Sequence, residues 1–129
     1  MGFLMWICLS ESFLSIVDAS DEPGTLLVRA RRQGDIEAVF PDAKVVQSIG
    51  RDYLFRSGIK REEVAAALAE QVMKLTYPNF KSSVADPRLH AAYSSTWSIM
   101  SQLQSYAPYH TTPRKGFSAH PLRVSKGGK

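Results

Sequence analysis

The side chains best suited to chemistry lie close together between Asn79 and His90: Asn79, Lys81, Ser82, Ser83, Asp86, Arg88 and His90. Ser83, Asp86 and His90 are the types that a nucleophile, an orienting carboxylate and a general base require. A small hydrolase or nuclease centred on Asp86 and His90 is the weakest of three functional readings. A triad is defined by geometry, not by nearness along the chain. Asp86 also has a competing task. It precedes Pro87, and Asp-Pro opens helices with the carboxylate as N-cap and the ring at the first helical position. A carboxylate spent on backbone N–H groups does not orient an imidazole. The spacing favours a structural loop and cap, with Tyr77, Asn79 and Phe80 as loop anchors, and no residue is assigned as catalytic.

Other chemistry is poorly served. His90, His110 and His120 lack the close spacing of zinc ligands, so no metal is expected. No phosphate-cradling glycine loop, dinucleotide fingerprint or H-E-x-x-H pair occurs, and no cofactor is expected. The single cysteine, Cys8, sits in an apolar run where a thiol acts as a small hydrophobe. One unpaired cysteine fits a reducing cytoplasm.

A second set of residues suits binding. Arg29, Arg31, Arg32 and Arg56, with Tyr53, could form a basic sheet face of the kind that stacks and neutralises RNA. Strand parity opposes this. In the run Arg51–Ile59, Tyr53 shares a side with Phe55 and Ile59 while Arg56 points away. Asp35, Glu37 and Asp52 are also close enough in sequence to pair with the arginines. Solvated or ion-paired arginine is the expectation.

The net charge of +4 invites the same reading, but its distribution does not. Residues 1–106 hold eleven basic and twelve acidic side chains, and residues 107–129 hold five basic and no acidic ones. The tail is rich in Pro, Gly, Ser and Thr and has no apolar period, so it is expected to be disordered. Its Arg114, Lys115, Arg123 and Lys126 could attract phosphate backbones at low salt.

These side chains need a scaffold. With 44% hydrophobic and 22% charged residues, 129 residues suffice for one α+β domain, expected over 1–106. Met5–Leu9 and Phe13–Asp18 read as a β-hairpin. Asp21-Glu22-Pro23-Gly24 is a turn, and Thr25–Arg32 follows as a strand. Its Leu26, Val28 and Ala30 should face the core, with Leu27, Arg29 and Arg31 opposite. A short helix should open at Asp35 as N-cap and stop at Pro41. Lys44–Ile49 and Arg51–Ile59 read as a second hairpin about Gly50. Glu62–Leu75 carries an apolar stripe of Val64, Leu68, Val72 and Leu75. A last helix from Pro87 carries Leu89, Tyr93, Trp97, Met100 and Leu103, with Trp97 expected in the core. The order matches a ferredoxin-like βαββα unit preceded by a hairpin, with a mostly antiparallel sheet and two longer helices. No stretch approaches the roughly 18 apolar residues of a membrane span, and the apolar start lacks a basic flank and is broken by Glu11. A soluble, uncleaved, unlipidated protein is expected.

The segments Trp6-Ile7-Cys8-Leu9, Phe13-Leu14-Ser15-Ile16-Val17, Leu26-Leu27-Val28-Arg29-Ala30-Arg31-Arg32 and Tyr77-Pro78-Asn79-Phe80-Lys81-Ser82-Ser83-Val84, with Asp86, His90, Tyr93 and Trp97, resemble a family of small uncharacterised proteins of bacteria and their phages. The resemblance spans Met5–Gln104 and implies no activity, so no functional residues carry over. Members tend to begin at Met-Trp, which implies a start at Met5 with residues 1–4 as an extension. The phage link implies an accessory or anti-defence role.

The leading expectation is therefore a small cytoplasmic, non-enzymatic module that binds another protein. The alternative is a nucleic-acid-associated protein using the tail and the strand arginines. Neither composition nor motif names the partner or the oligomeric state.

Overall fold

A computed structural model describes residues 4–106 and 108. It divides between Leu89 and His90 into two compact units. The first is an α+β unit with one antiparallel sheet. Its strands are β1 (Leu4–Cys8), β2 (Phe13–Asp18), β3 (Thr25–Ala30), β4 (Val46–Gln47) and β5 (Phe55–Lys60), in the order β1-β2-β3-β5-β4. Helix α1 (Asp35–Val39) joins β3 to β4, and α2 (Arg61–Met73) follows β5 directly. A 3-10 turn, Lys81–Ser83, precedes α3 (Pro87–Met100), which crosses the unit boundary and ends in a second 3-10 turn, Ser101–Leu103.

Placing β5 between β3 and β4 is what a βαββα order does when α1 carries the chain over a gap that the next hairpin fills. The leading hairpin adds β2 to the free side of β3, in register Ile16 opposite Val28. Strand alternation behaves as expected in β3. Leu26, Val28 and Ala30 lie opposite Ile59, Ser57 and Phe55 on one face. That face holds the core of Leu14, Ile16, Val28, Ala30 and Ile59, closed over by Ile36, Val39 and Phe40 of the α1 region and by Val64, Ala67 and Leu68 of α2. Both helices therefore cover the same side. The opposite face carries Trp6, Ser15, Arg29 and Arg56 in one row across β1, β2, β3 and β5.

Four local expectations are corrected. The second hairpin about Gly50 forms with shorter strands than expected: β4 keeps only two residues, β5 starts at Phe55, and residues 48–54 form a wide loop closed by Ser48 N–H donating to Leu54 O at 2.7 Å. Gly50 still supplies a left-handed step, with φ of 93°. Asp35 does not cap α1. Gly34 does so in the left-handed region (φ 95°), with no side-chain cap bond, and this frees Asp35 to turn inward. The α2 stripe is core only in its first half. Val64 is buried and Leu68 half-buried, but Val72 and Leu75 are exposed. On α3, Leu89 and Tyr93 are buried, whereas Trp97 is 42% exposed and Met100 and Leu103 are exposed, so Trp97 is not a core residue.

No helix among the described residues is long and apolar enough to cross a membrane.

Candidate functional site

The loop that looked most chemical is held together by its own polar groups. Asp86 is the cap that its Pro neighbour implies. Its Oδ1 accepts from Arg88 N–H at 2.9 Å and Leu89 N–H at 3.1 Å, and its Oδ2 accepts from Arg32 Nη1 at 3.1 Å. The Leu89 N–H, the Arg88 N–H and the Arg32 charge hold the Asp86 carboxyl below its ordinary range. Ser83 Oγ donates to Phe80 O at 2.6 Å and shares a 2.7 Å hydrogen bond with Ser10 Oγ. His90 is exposed. Asn79 Oδ1 accepts from Ser82 N–H at 3.2 Å, and the Tyr77 and Phe80 rings lie 5.8 Å apart, tilted. These contacts close turns, cap a helix, or tie the loop to Ser10 and Arg32.

Arg32 serves the same structural end. Its Nε and Nη2 donate to Asp35 Oδ2 and Oδ1 at 3.2 and 3.0 Å, its Nη1 to Asp86, and its Nη2 also to Glu11 O at 3.2 Å. Asp35, with 6% of its side chain exposed, also accepts from Phe13 N–H at 3.1 Å. A buried carboxylate so bonded ties the end of β3 to the start of β2 and to the α3 cap. Asp35 pairs with Arg32 and is thus unavailable to Arg29 and Arg31.

Those two arginines lie elsewhere, with Tyr53. Tyr53 is outside β5, in the wide loop before it, so the parity expected from a continuous strand does not apply. The loop returns its ring to the arginine face, where it is 4% exposed. Asp52 Oδ1 accepts from Tyr53 N–H at 2.9 Å and fixes that turn. The Arg29 guanidinium lies 4.5 Å from the ring centroid and that of Arg31 lies 4.2 Å away. Tyr53 is therefore a buried support that holds two cations, not an exposed platform.

The remaining bonds fix the cations further. Arg29 Nη2 donates to Ser15 Oγ at 2.7 Å, and Arg31 Nη1 donates to Asp52 O at 2.7 Å. Neither arginine makes an ion pair among the described residues. Asp52 sits 3.5 Å from Arg56 instead, and Asp18 pairs with Arg61 at 3.1 Å. Arg29 stands directly opposite Arg56 across two neighbouring strands, an arrangement that repels. Both Nε groups are buried without a hydrogen-bond partner. Of these two opposed cations only Arg56 is paired with an acid, and an incoming anion would meet their outer Nη groups, since the Nε groups are covered.

Arg29 and Arg31 line an open groove of about 1160 Å³. Trp6, Val17, Arg29, Arg31, Tyr53 and Arg61 are among its walls. Nothing in the local sequence around Trp6 marks it for this place. The signal that could have found it is the row parity of a hairpin with Trp6 opposite Ser15 and Ser15 opposite Arg29. Arg114, Lys115, Arg123 and Lys126 lie outside the described residues. Among the described residues, no three His, Cys, Asp or Glu side chains gather as metal ligands. No family model, curated protein or solved structure matches this chain.

Proposed function

We propose that this chain is a binding module that takes nucleic acid on the open face of its sheet. The observation that carries this is the Arg29–Tyr53–Arg31 cluster, opposed by Arg56 and supplied with no acid for Arg29 or Arg31 among the described residues. Guanidiniums recognise phosphate through fixed, planar donors, and here those planes are held against an aromatic ring before any ligand arrives. Pre-ordering lowers the entropy lost on binding. The basic tail adds a weaker, non-specific attraction. The bacterial and phage resemblance suits an accessory or anti-defence protein of the cytoplasm, where Cys8 stays a thiol.

Filter binding of a labelled oligonucleotide, at low and moderate salt, tests this. Arg29→Ala and Arg31→Ala should each weaken binding by about 1 kcal/mol or more. Each should also make the salt slope shallower by roughly one for every phosphate that is no longer neutralised. A full-length chain with Arg114, Lys115, Arg123 and Lys126 changed to Gln should keep most of its affinity at moderate salt. If that chain loses all binding while Arg29→Ala and Arg31→Ala lose none, the sheet face is not the site.

A second reading, a protein partner, rests on β1. It is an edge strand with exposed Leu4, Met5 and Trp6, and it lacks the charge or proline that guards such edges. A Met5→Lys chain that releases a protein held by the native chain, while keeping its affinity for oligonucleotide, supports it.

A further inference from the structure

We infer that Trp6 is a stacking platform for one unpaired base, so that the groove takes a single strand in preference to a duplex. This deepens the nucleic-acid reading above and rests on it. Trp6 is 57% exposed, large and apolar, on the same sheet face as the arginines. Its indole is not loose. It meets Phe13 edge-on, with ring centroids 5.6 Å apart and an interplanar angle of 77°, which steadies the ring while most of it stays open. Between Trp6 and Arg29 in the row stands Ser15, fully buried and small. Ser15 lies beneath the surface and accepts from Arg29 Nη2, while Trp6 and the Tyr53-backed Arg29 and Arg31 line one trough. Two strand spacings, about 10 Å, separate the walls at the backbone.

That trough has the chemistry of a nucleotide site. Charge complementarity draws phosphate to Arg29 and Arg31, and an exposed indole offers a π-face that every base can use. A base already paired and stacked in a duplex cannot reach that face without leaving the helix. Tyr53 cannot do this work, because it is covered. Trp97 is exposed as well but lies on α3 in the second unit.

Fluorescence titration of the full chain tests the inference. A Trp97→Phe background leaves Trp6 as the only indole. The probes are a short mixed-sequence RNA, its DNA counterpart, the DNA duplex and inorganic polyphosphate. Single strands should quench Trp6 and bind at least about tenfold more tightly than the duplex. Read by filter binding of the labelled strand, Trp6→Ala should lose roughly tenfold to hundredfold in single-strand affinity with the salt slope unchanged, and Trp6→Phe should recover most of that loss. Thermal midpoints of the variants show that each folds. The inference is overturned if duplex and polyphosphate bind as tightly as the single strand, or if Trp6→Ala binds the single strand as the parent does. In those cases a continuing loss with Arg31→Ala leaves the broader nucleic-acid reading standing. If neither arginine change alters binding of any probe, both fall.

Discussion

Arg32 and Arg31 are neighbours with opposite fates. Arg32 donates through all three nitrogens into Asp35, Asp86 and the Glu11 carbonyl, so its charge belongs to the fold. Removing it strands a buried carboxylate. Arg32→Ala should therefore destabilise the first unit by about 1.5–3 kcal/mol, read from a shift in the urea midpoint at constant m-value. Asp86 gives a pH signature. Its folded-state pKa lies below the unfolded value, so its stabilisation is present above the unfolded carboxylate range and is lost as pH falls through the folded value. The gap in thermal midpoint between the native chain and Asp86→Ala should be present at neutral pH and close on acidification. A gap that persists unchanged in acid shows that the charge of Asp86 does not contribute. Tyr53 acts on binding from beneath the surface. Tyr53→Leu should keep the turn but release both guanidiniums, weakening oligonucleotide binding several-fold as the arginines lose their support.

At the level of elements, the two faces of β3 divide the labour. Leu26, Val28 and Ala30 were legible as core because strict alternation leaves no other assignment, and the same parity placed Arg29 on the far side; β3 ends at Ala30, short of the expected Arg32, so Arg31 reaches that face from beyond the strand, against Tyr53. The different placement of Tyr53 has a definite source. Reading Arg51–Ile59 as one strand forces Tyr53 onto the face of Phe55, but the chain enters the sheet only at Phe55. Loop residues carry no fixed parity. On α2 the apolar period was real, yet periodicity says which residues share a side and not how far the neighbouring surface extends. Val64→Ala and Val72→Ala separate the two halves: the first removes a buried methyl pair and should cost about 1–2 kcal/mol, and the second should stay within about 0.5 kcal/mol. Gly34→Ala should cost about 1 kcal/mol through its left-handed backbone, although open space surrounds the position. Equal effects of Val64→Ala and Val72→Ala in urea melts would show that α2 is buried along its whole length.

For the whole molecule, the balance of eleven basic and twelve acidic residues over 1–106 conceals a segregation in space. Asp18 and Asp52, which line the groove, pair with Arg61 and Arg56, while Arg29 and Arg31 line it with no acid paired to them among the described residues. A near-neutral body can thus present a locally positive face. The residues alone determine the alternation of strands, the Asp86-Pro87 cap, the turn at Gly24 and the order of elements, because each depends on neighbours a few positions apart. Only the folded chain decides which distant side chains meet. Arg29 finds Tyr53 rather than an acid, Arg32 reaches across to Asp86, and Trp6 joins the arginine row through two strand registers. These meetings depend on sheet pairing and on a loop path that no local period encodes.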